Sequence, residues 1–180
     1  MIATQFPTSW IIIIVIVLIS VAGCTDFQFK TFDGQYFSFK YPDGWEAKAT
    51  VVNESVVTVV PKNEIEKFNQ SIITLKFLGN FNLTDTKIIQ LFNPYSKTAN
   101  NKSDPNFKMI ENRTITVDGV NAKDFLLQDS SDDEKSLEEH ELIYLEKNGK
   151  VYEIHLNSTP DDFFRVQGIF LDIVSSFKTA

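Results

Sequence analysis

Cysteine occurs once in 180 residues and histidine twice. A single cysteine excludes an intramolecular disulfide and any multi-cysteine zinc or iron–sulfur site. Two histidines leave little for metal or acid–base chemistry. Basic residues are outnumbered, 17 Lys+Arg against 24 Asp+Glu, for a net charge of −7. A chain of that sign is a poor counterion for phosphate, which argues against nucleic-acid partners. The sequence holds no G-x-S-x-G elbow, no G-x-x-x-x-G-K-[ST] loop and no G-x-G-x-x-G fingerprint. Without them, hydrolase chemistry and nucleotide binding lack a scaffold, and neither catalysis nor a cofactor is expected. No internal repeat stands out. What remains is a chain with 43% hydrophobic and 23% charged residues and sixteen Phe, the composition of a folded domain.

Charge is also missing from the whole stretch before Asp26. Residues 11–19 read IIIIVIVLI, and 20–23 continue with Ser, Val, Ala and Gly. As a helix, residues 10–23 would reach about 21 Å, short of the roughly 30 Å of a bilayer core. That length suits the apolar region of a signal peptide. The run ends in Val21-Ala22-Gly23-Cys24, which resembles the lipobox of prokaryotic lipoproteins, with Cys24 as the lipid attachment point. The chain's one cysteine stands where that motif requires it. The alternative is an uncleaved, slightly short N-terminal anchor. Either way, residues 25–180 are expected at the outer face of the cytoplasmic membrane. The expected organisation is 1–23 signal peptide or anchor, 24–31 lipidated cysteine and short tether, and 32–180 one domain. Acceptor sequons Asn-x-Ser/Thr at Asn53, Asn69, Asn82, Asn101, Asn112 and Asn157 allow N-glycosylation in an exported chain.

Within the domain, residues 36–41 (YFSFKY) alternate as a strand with one apolar face, followed by a Pro42-Asp43-Gly44 turn. Residues 45–52, 55–60 and 72–78 are β-rich. Residues 61–70 are polar with room for a short helix. Thr84 or Asp85 is placed to cap a helix carrying Ile88, Ile89, Leu91 and Phe92. Two hairpins follow, at Asp118-Gly119 and Asn148-Gly149. Two-residue loops put Val117 opposite Val120, Arg113 opposite Asp124, Leu145 opposite Tyr152 and Ile143 opposite Ile154. The last element is a helix with Thr159 as N-cap, Pro160 at its first position and Asp161-Asp162 in its first turn. Its stripe of Phe163, Val166, Phe170, Ile173, Val174 and Phe177 reads as core. Phe27, Phe29 and Phe32 are expected to pack under the domain.

The order of these motifs is similar to that of the PsbP family. The segments are YFSFKYPDGW at 36–45, TVDGVNAKDF at 116–125, VYEIHL at 151–156 and FLDIVSSFK at 170–178. The resemblance covers most of residues 32–178. It implies an α/β fold, an α/β/α sandwich of PsbP-like type: a mainly antiparallel sheet flanked by helices, with the C-terminal helix packed on the sheet. It also implies binding of other proteins or small ligands rather than catalysis.

Two clusters invite chemistry. In the second hairpin His140 and His155 are diagonal neighbours on one face, with Glu153 beside them, a set that would make a weak divalent-metal site. The plainer reading is polar strand residues. Residues 129–141 gather seven acids around Lys135 without the spacing of a Ca²⁺ loop. That stretch reads as a solvated loop leading into a strand. The expected function is therefore a membrane-tethered lipoprotein domain that binds an envelope protein or a small ligand. The alternative is a carrier of a lipid or small apolar ligand in a cavity between sheet and helix.

Overall fold

The computed structural model describes residues 28–50, 54–62, 71–96, 107–130 and 137–180. Residues 1–27, and with them Cys24, lie outside these. So do 63–70, most of the 61–70 stretch where a short helix was anticipated.

Two tight turns set the frame. Asp118 and Gly119 have φ of 49° and 79°, and Asn148 and Gly149 have 54° and 74°. Two successive positive values are the type I′ geometry, whose twist matches the strands on either side. The first turn joins β6 (Phe107–Val117) to β7 (Val120–Ser130), and the second joins β8 (Leu137–Lys147) to β9 (Lys150–Ser158). All four anticipated partnerships are present: Val117 with Val120, Arg113 with Asp124, Leu145 with Tyr152 and Ile143 with Ile154.

Among the described residues, six further strands join these in two sheets: β1 (Phe29–Asp33), β2 (Phe37–Pro42), β3 (Trp45–Ala49), β4 (Val56–Pro61), β5 (Ile72–Asn80) and β10 (Lys178–Thr179). The larger sheet runs β3-β4-β5-β9-β8-β7-β6, and the smaller β1-β2-β10. Every neighbouring pair is antiparallel. β1 begins at Phe29, earlier than the expected domain start at 32, because an exposed edge strand carries little hydrophobic pattern to mark it.

Helix α2 (Pro160–Ser176) lies on one face of the large sheet and shares that layer with the small sheet. Its stripe is buried as expected, with Phe163, Val166, Phe170, Ile173, Val174 and Phe177 inside. They meet Phe37, Phe39, Tyr152, Ile154 and Leu156. Each such ring contributes about 1.5–3 kcal/mol. Thr159 precedes the helix but caps it through its carbonyl, which accepts the Asp162 and Phe163 N–H groups at 3.1 and 2.9 Å. Its side chain makes no cap bond. On the opposite face, α1 (Asp85–Ser96) covers a smaller cluster of Ile88, Phe125, Leu127, Leu142 and Tyr144. The Thr84 hydroxyl accepts the Lys87 N–H at 3.3 Å and starts that helix. Helices on both faces of an antiparallel sheet make the anticipated sandwich. Among the described residues no helix is long and apolar enough to cross a membrane.

The C-terminal strand joins these parts. Lys178 and Thr179 pair with Ser38 and Phe37, and the Ala180 N–H donates to Tyr36 O at 2.9 Å. Asp118, at the tip of the first turn, accepts the Lys147 Nζ at 2.7 Å, and the Thr179 N–H and hydroxyl at 3.0 Å each. The Lys178 ammonium lies 3.1 Å from its other oxygen. Burial alone would raise the Asp118 carboxyl. Lys147, Thr179 and Lys178 outweigh it and hold the group well below the usual carboxylate range. One buried carboxylate thus clasps the β6–β7 turn, the β8–β9 hairpin and the chain terminus.

Candidate binding face

Helix α2 buries one side completely and leaves large apolar groups on the other. Phe164 is 81% exposed and Leu171 44%. Helical spacing sets Phe164, Gly168, Leu171 and Ser175 along one outward stripe. At its C-terminal end the stripe runs into an open groove of about 590 Å³. Phe29, Thr31, Ser38, Phe39, Lys40 and Lys178 of the small sheet line it together with Asp172, Ser175 and Ser176 of α2. Phe29, expected to pack under the domain, is 43% exposed here, whereas Phe32 stacks on Phe39 with ring centroids 5.3 Å apart. The Ser176 hydroxyl accepts the Lys40 N–H at 2.9 Å, which fixes the groove wall. The groove offers two cations, Lys40 and Lys178, a carboxylate, Asp172, and an aromatic edge, groups that can hold a ligand. No sequence pattern singled out this face, since the stripe of Phe164 and Leu171 reads as ordinary helix surface.

The interface between the large sheet and α2, where a carrier would need a cavity, is occupied by side chains. Phe37, Phe39, Tyr152, Phe163, Phe170 and Phe177 are all fully buried there.

The acidic stretch is not solvated throughout. Residues 131–136 lie outside the described set, and Glu138 is exposed. Glu141, however, is fully buried under α2. Its two oxygens accept Arg113 Nη2 and Gln167 Nε2, each at 2.9 Å, while Arg113 Nε meets Asp124 Oδ2 at 2.6 Å. Burial raises the Glu141 and Asp124 carboxyls, against the pull of Gln167 and Arg113 on the first and of Arg113 on the second. The signal was present in the strand: Glu141, Ile143 and Leu145 alternate onto the face that packs on α2. The network is an ion cluster shared by a strand edge and a helix.

The histidines do meet. His140 Nδ1 and His155 Nε2 are 3.1 Å apart with rings stacked at 27°, as the hairpin register requires. Burial pushes both imidazoles down. His155, with His140 and Lys76 also beside it, falls to about 3. Glu153 lies on the same strand face but binds Lys76 Nζ at 2.6 Å. Among the described residues no group of three His, Cys, Asp or Glu side chains is placed to hold a metal ion. The pair is a neutral, hydrogen-bonded contact within the sheet.

Of the sequons, Asn53, Asn69 and Asn101 lie outside the described residues. Asn82 is exposed in the loop before α1, and Asn112 is exposed on the edge strand β6. Asn157 lies on β9 between β5 and β8, and its amide donates to Glu138 at 3.2 Å.

The architecture has solved counterparts. The solution structure of cyanobacterial PsbP from Synechocystis sp. PCC 6803 aligns with 16% identity and a TM-score of 0.57, covering 89% of this chain and 99% of that one. The Ran-binding protein Mog1p of Saccharomyces cerevisiae aligns at 12% identity and a TM-score of 0.59, covering 85% and 96%. LpqN of Mycobacterium tuberculosis, described as involved in cell envelope biogenesis, gives 14% and 0.52, covering 85% and 91%. At these identities the likeness is one of fold. Comparison with curated proteins finds no match. Residues 24–179 match the family model described as PsbP-like protein, and with the hairpin registers, the flanking helices and the closing helix in place, the chain belongs to the PsbP-like family.

Proposed function

We propose that the domain is a non-catalytic protein-binding module, held at the outer face of the cytoplasmic membrane by lipid on Cys24, and that the outward side of α2 is its docking face. The observation that carries this reading is Phe164. A phenylalanine exposed over four-fifths of its surface, on a helix already fixed by a filled core, is preorganised to anchor a partner. Tethering would raise its local concentration for membrane-bound partners. The similar fold of a Ran-binding protein supports a binding role, and that of a protein involved in cell envelope biogenesis is compatible with one at the envelope. Cross-linking in native membranes followed by mass spectrometry tests it. Phe164→Asp should abolish the principal cross-linked product while leaving the thermal midpoint within about 2 °C, because four-fifths of the residue is in solvent and its ring meets Phe163 edge-on with centroids 6.0 Å apart. An unchanged cross-link pattern would refute the docking face. Intact-mass analysis of the membrane-extracted protein tests the anchor, and an unmodified Cys24 refutes it.

The groove beside Phe29 and Phe39 favours a second reading, a small amphipathic ligand held at the end of α2. Native mass spectrometry of the extracted chain would then show a bound species that Phe29→Ala releases.

A further inference from the structure

Sequons are over-represented in this chain. Thirteen residues are Asn and 27 are Ser or Thr, so about two Asn would carry Ser or Thr two places on by chance, whereas six do. The fold then separates the three sequons that it describes. A glycan transferase must bend the chain so that the Asn amide and the hydroxyl two residues later face the enzyme together, which a residue locked in a sheet ladder resists. Asn157 is locked on both sides by β5 and β8, its amide is engaged with Glu138, and Ser158 behind it is buried. Asn112 is exposed, but it sits in the β6–β7 ladder opposite Phe125. Asn82 belongs to no helix or strand. Leu83 packs against the cluster around Ile88 and Phe125, and its N–H donates to Glu146 Oε2 at 2.6 Å. With the middle residue pinned inward, Asn82 and Thr84 both face solvent.

We infer that, of the three described sequons, Asn82 is the one that accepts an N-linked glycan on the folded domain, from a lipid-phosphate-linked oligosaccharide donor. Asn82 Nδ2 forms a bond to the sugar C1 as the C1–O bond to the donor phosphate breaks. The lipid phosphate leaves with the electron pair, and the amide proton passes to a base of the transferase. The inference rests on export of the domain, which protease treatment of intact cells reports separately.

The test is glycopeptide mass spectrometry on the full chain taken from native membranes. Occupancy at Asn82 should exceed that at Asn112 and Asn157. Asn82→Gln should remove one glycan mass, whereas Thr84→Ser, which preserves both the sequon and the start of α1, should keep it. Occupancy at Asn82 equal to or below the other two, in a protein that protease reaches from outside, overturns the inference and leaves export standing. Protection from protease in intact cells overturns both.

Discussion

Replacing Asp118 by Asn changes one charge and little else. Asn keeps the side-chain length and tolerates the positive φ of 49° that the type I′ turn needs. Asn-Gly is if anything the better turn, worth a few tenths of a kcal/mol in the opposite direction. What disappears is the anion between Lys147 at 2.7 Å and Lys178 at 3.1 Å. The Lys178 side chain is mostly exposed, so its share is small, about 0–1 kcal/mol. The Lys147 contact is largely buried, and a hydrogen bond to a charged group is worth about 1.5–3 kcal/mol. The amide oxygen can still accept one Thr179 contact. The net cost at pH 7 is therefore about 2 kcal/mol, which for a domain of this size lowers the thermal midpoint by about 4–8 °C. Acid supplies a second reading of the same group. Asp118 is held below its unfolded value of about 3.9, so its contribution is complete above that pH and fades as pH falls toward the folded value. The difference between wild type and variant, followed by circular dichroism of the full chain in detergent, should be largest at pH 7 and shrink at pH 3 and below. A difference near zero at pH 7, or one that stays constant into acid, would mean that the clasp does not hold the terminus electrostatically.

Two other perturbations probe the buried charges. His155 stays neutral in the fold down to about pH 3 while the unfolded ring titrates near 6.5. Stability should therefore fall by about 1.4 kcal/mol per pH unit below 6.5, and His155→Gln should be less stable than wild type at pH 7.5 yet gain on it by about 2 kcal/mol by pH 5 in guanidinium titrations. A gap that does not change over that range refutes the burial of the neutral ring. Arg113→Met leaves Asp124 and Glu141 without their shared cation and should cost about 3 kcal/mol at pH 7. Both carboxyls are already raised by burial and can protonate, so that cost should lessen toward pH 4, and thermal unfolding that shows a larger deficit in acid would sink the assignment.

Local chemistry made much of the fold readable. Asp-Gly and Asn-Gly between alternating strands fix a register, and a register fixes which residues face each other, so Arg113–Asp124 and His140–His155 could be paired from the sequence alone. The Phe163–Phe177 stripe was equally plain, because nothing but a buried helix face has that spacing. Elements held by distant partners were not legible. β1 and β10 are short and exposed, and they form only because β2 lies between them. Glu141 looked like part of a solvated acidic run because composition dominates a window, whereas its environment is set by strand parity and by Gln167 from a helix 26 residues away. The outward side of α2 was not singled out for a different reason. Phe164 falls outside the stripe read as core, but a single outward Phe on a helix is ordinary surface until its exposure is known.

The pairing of β10 with β2 constrains the timing of assembly. Strands far apart in sequence are neighbours in the smaller sheet, so Phe37 and Ser38 have no β10 partner until Thr179 and Lys178 are made. A nascent chain that stops short of Lys178 would present an open β2 edge and an unclosed aromatic layer. The smaller sheet therefore closes only once the chain has been made as far as β10.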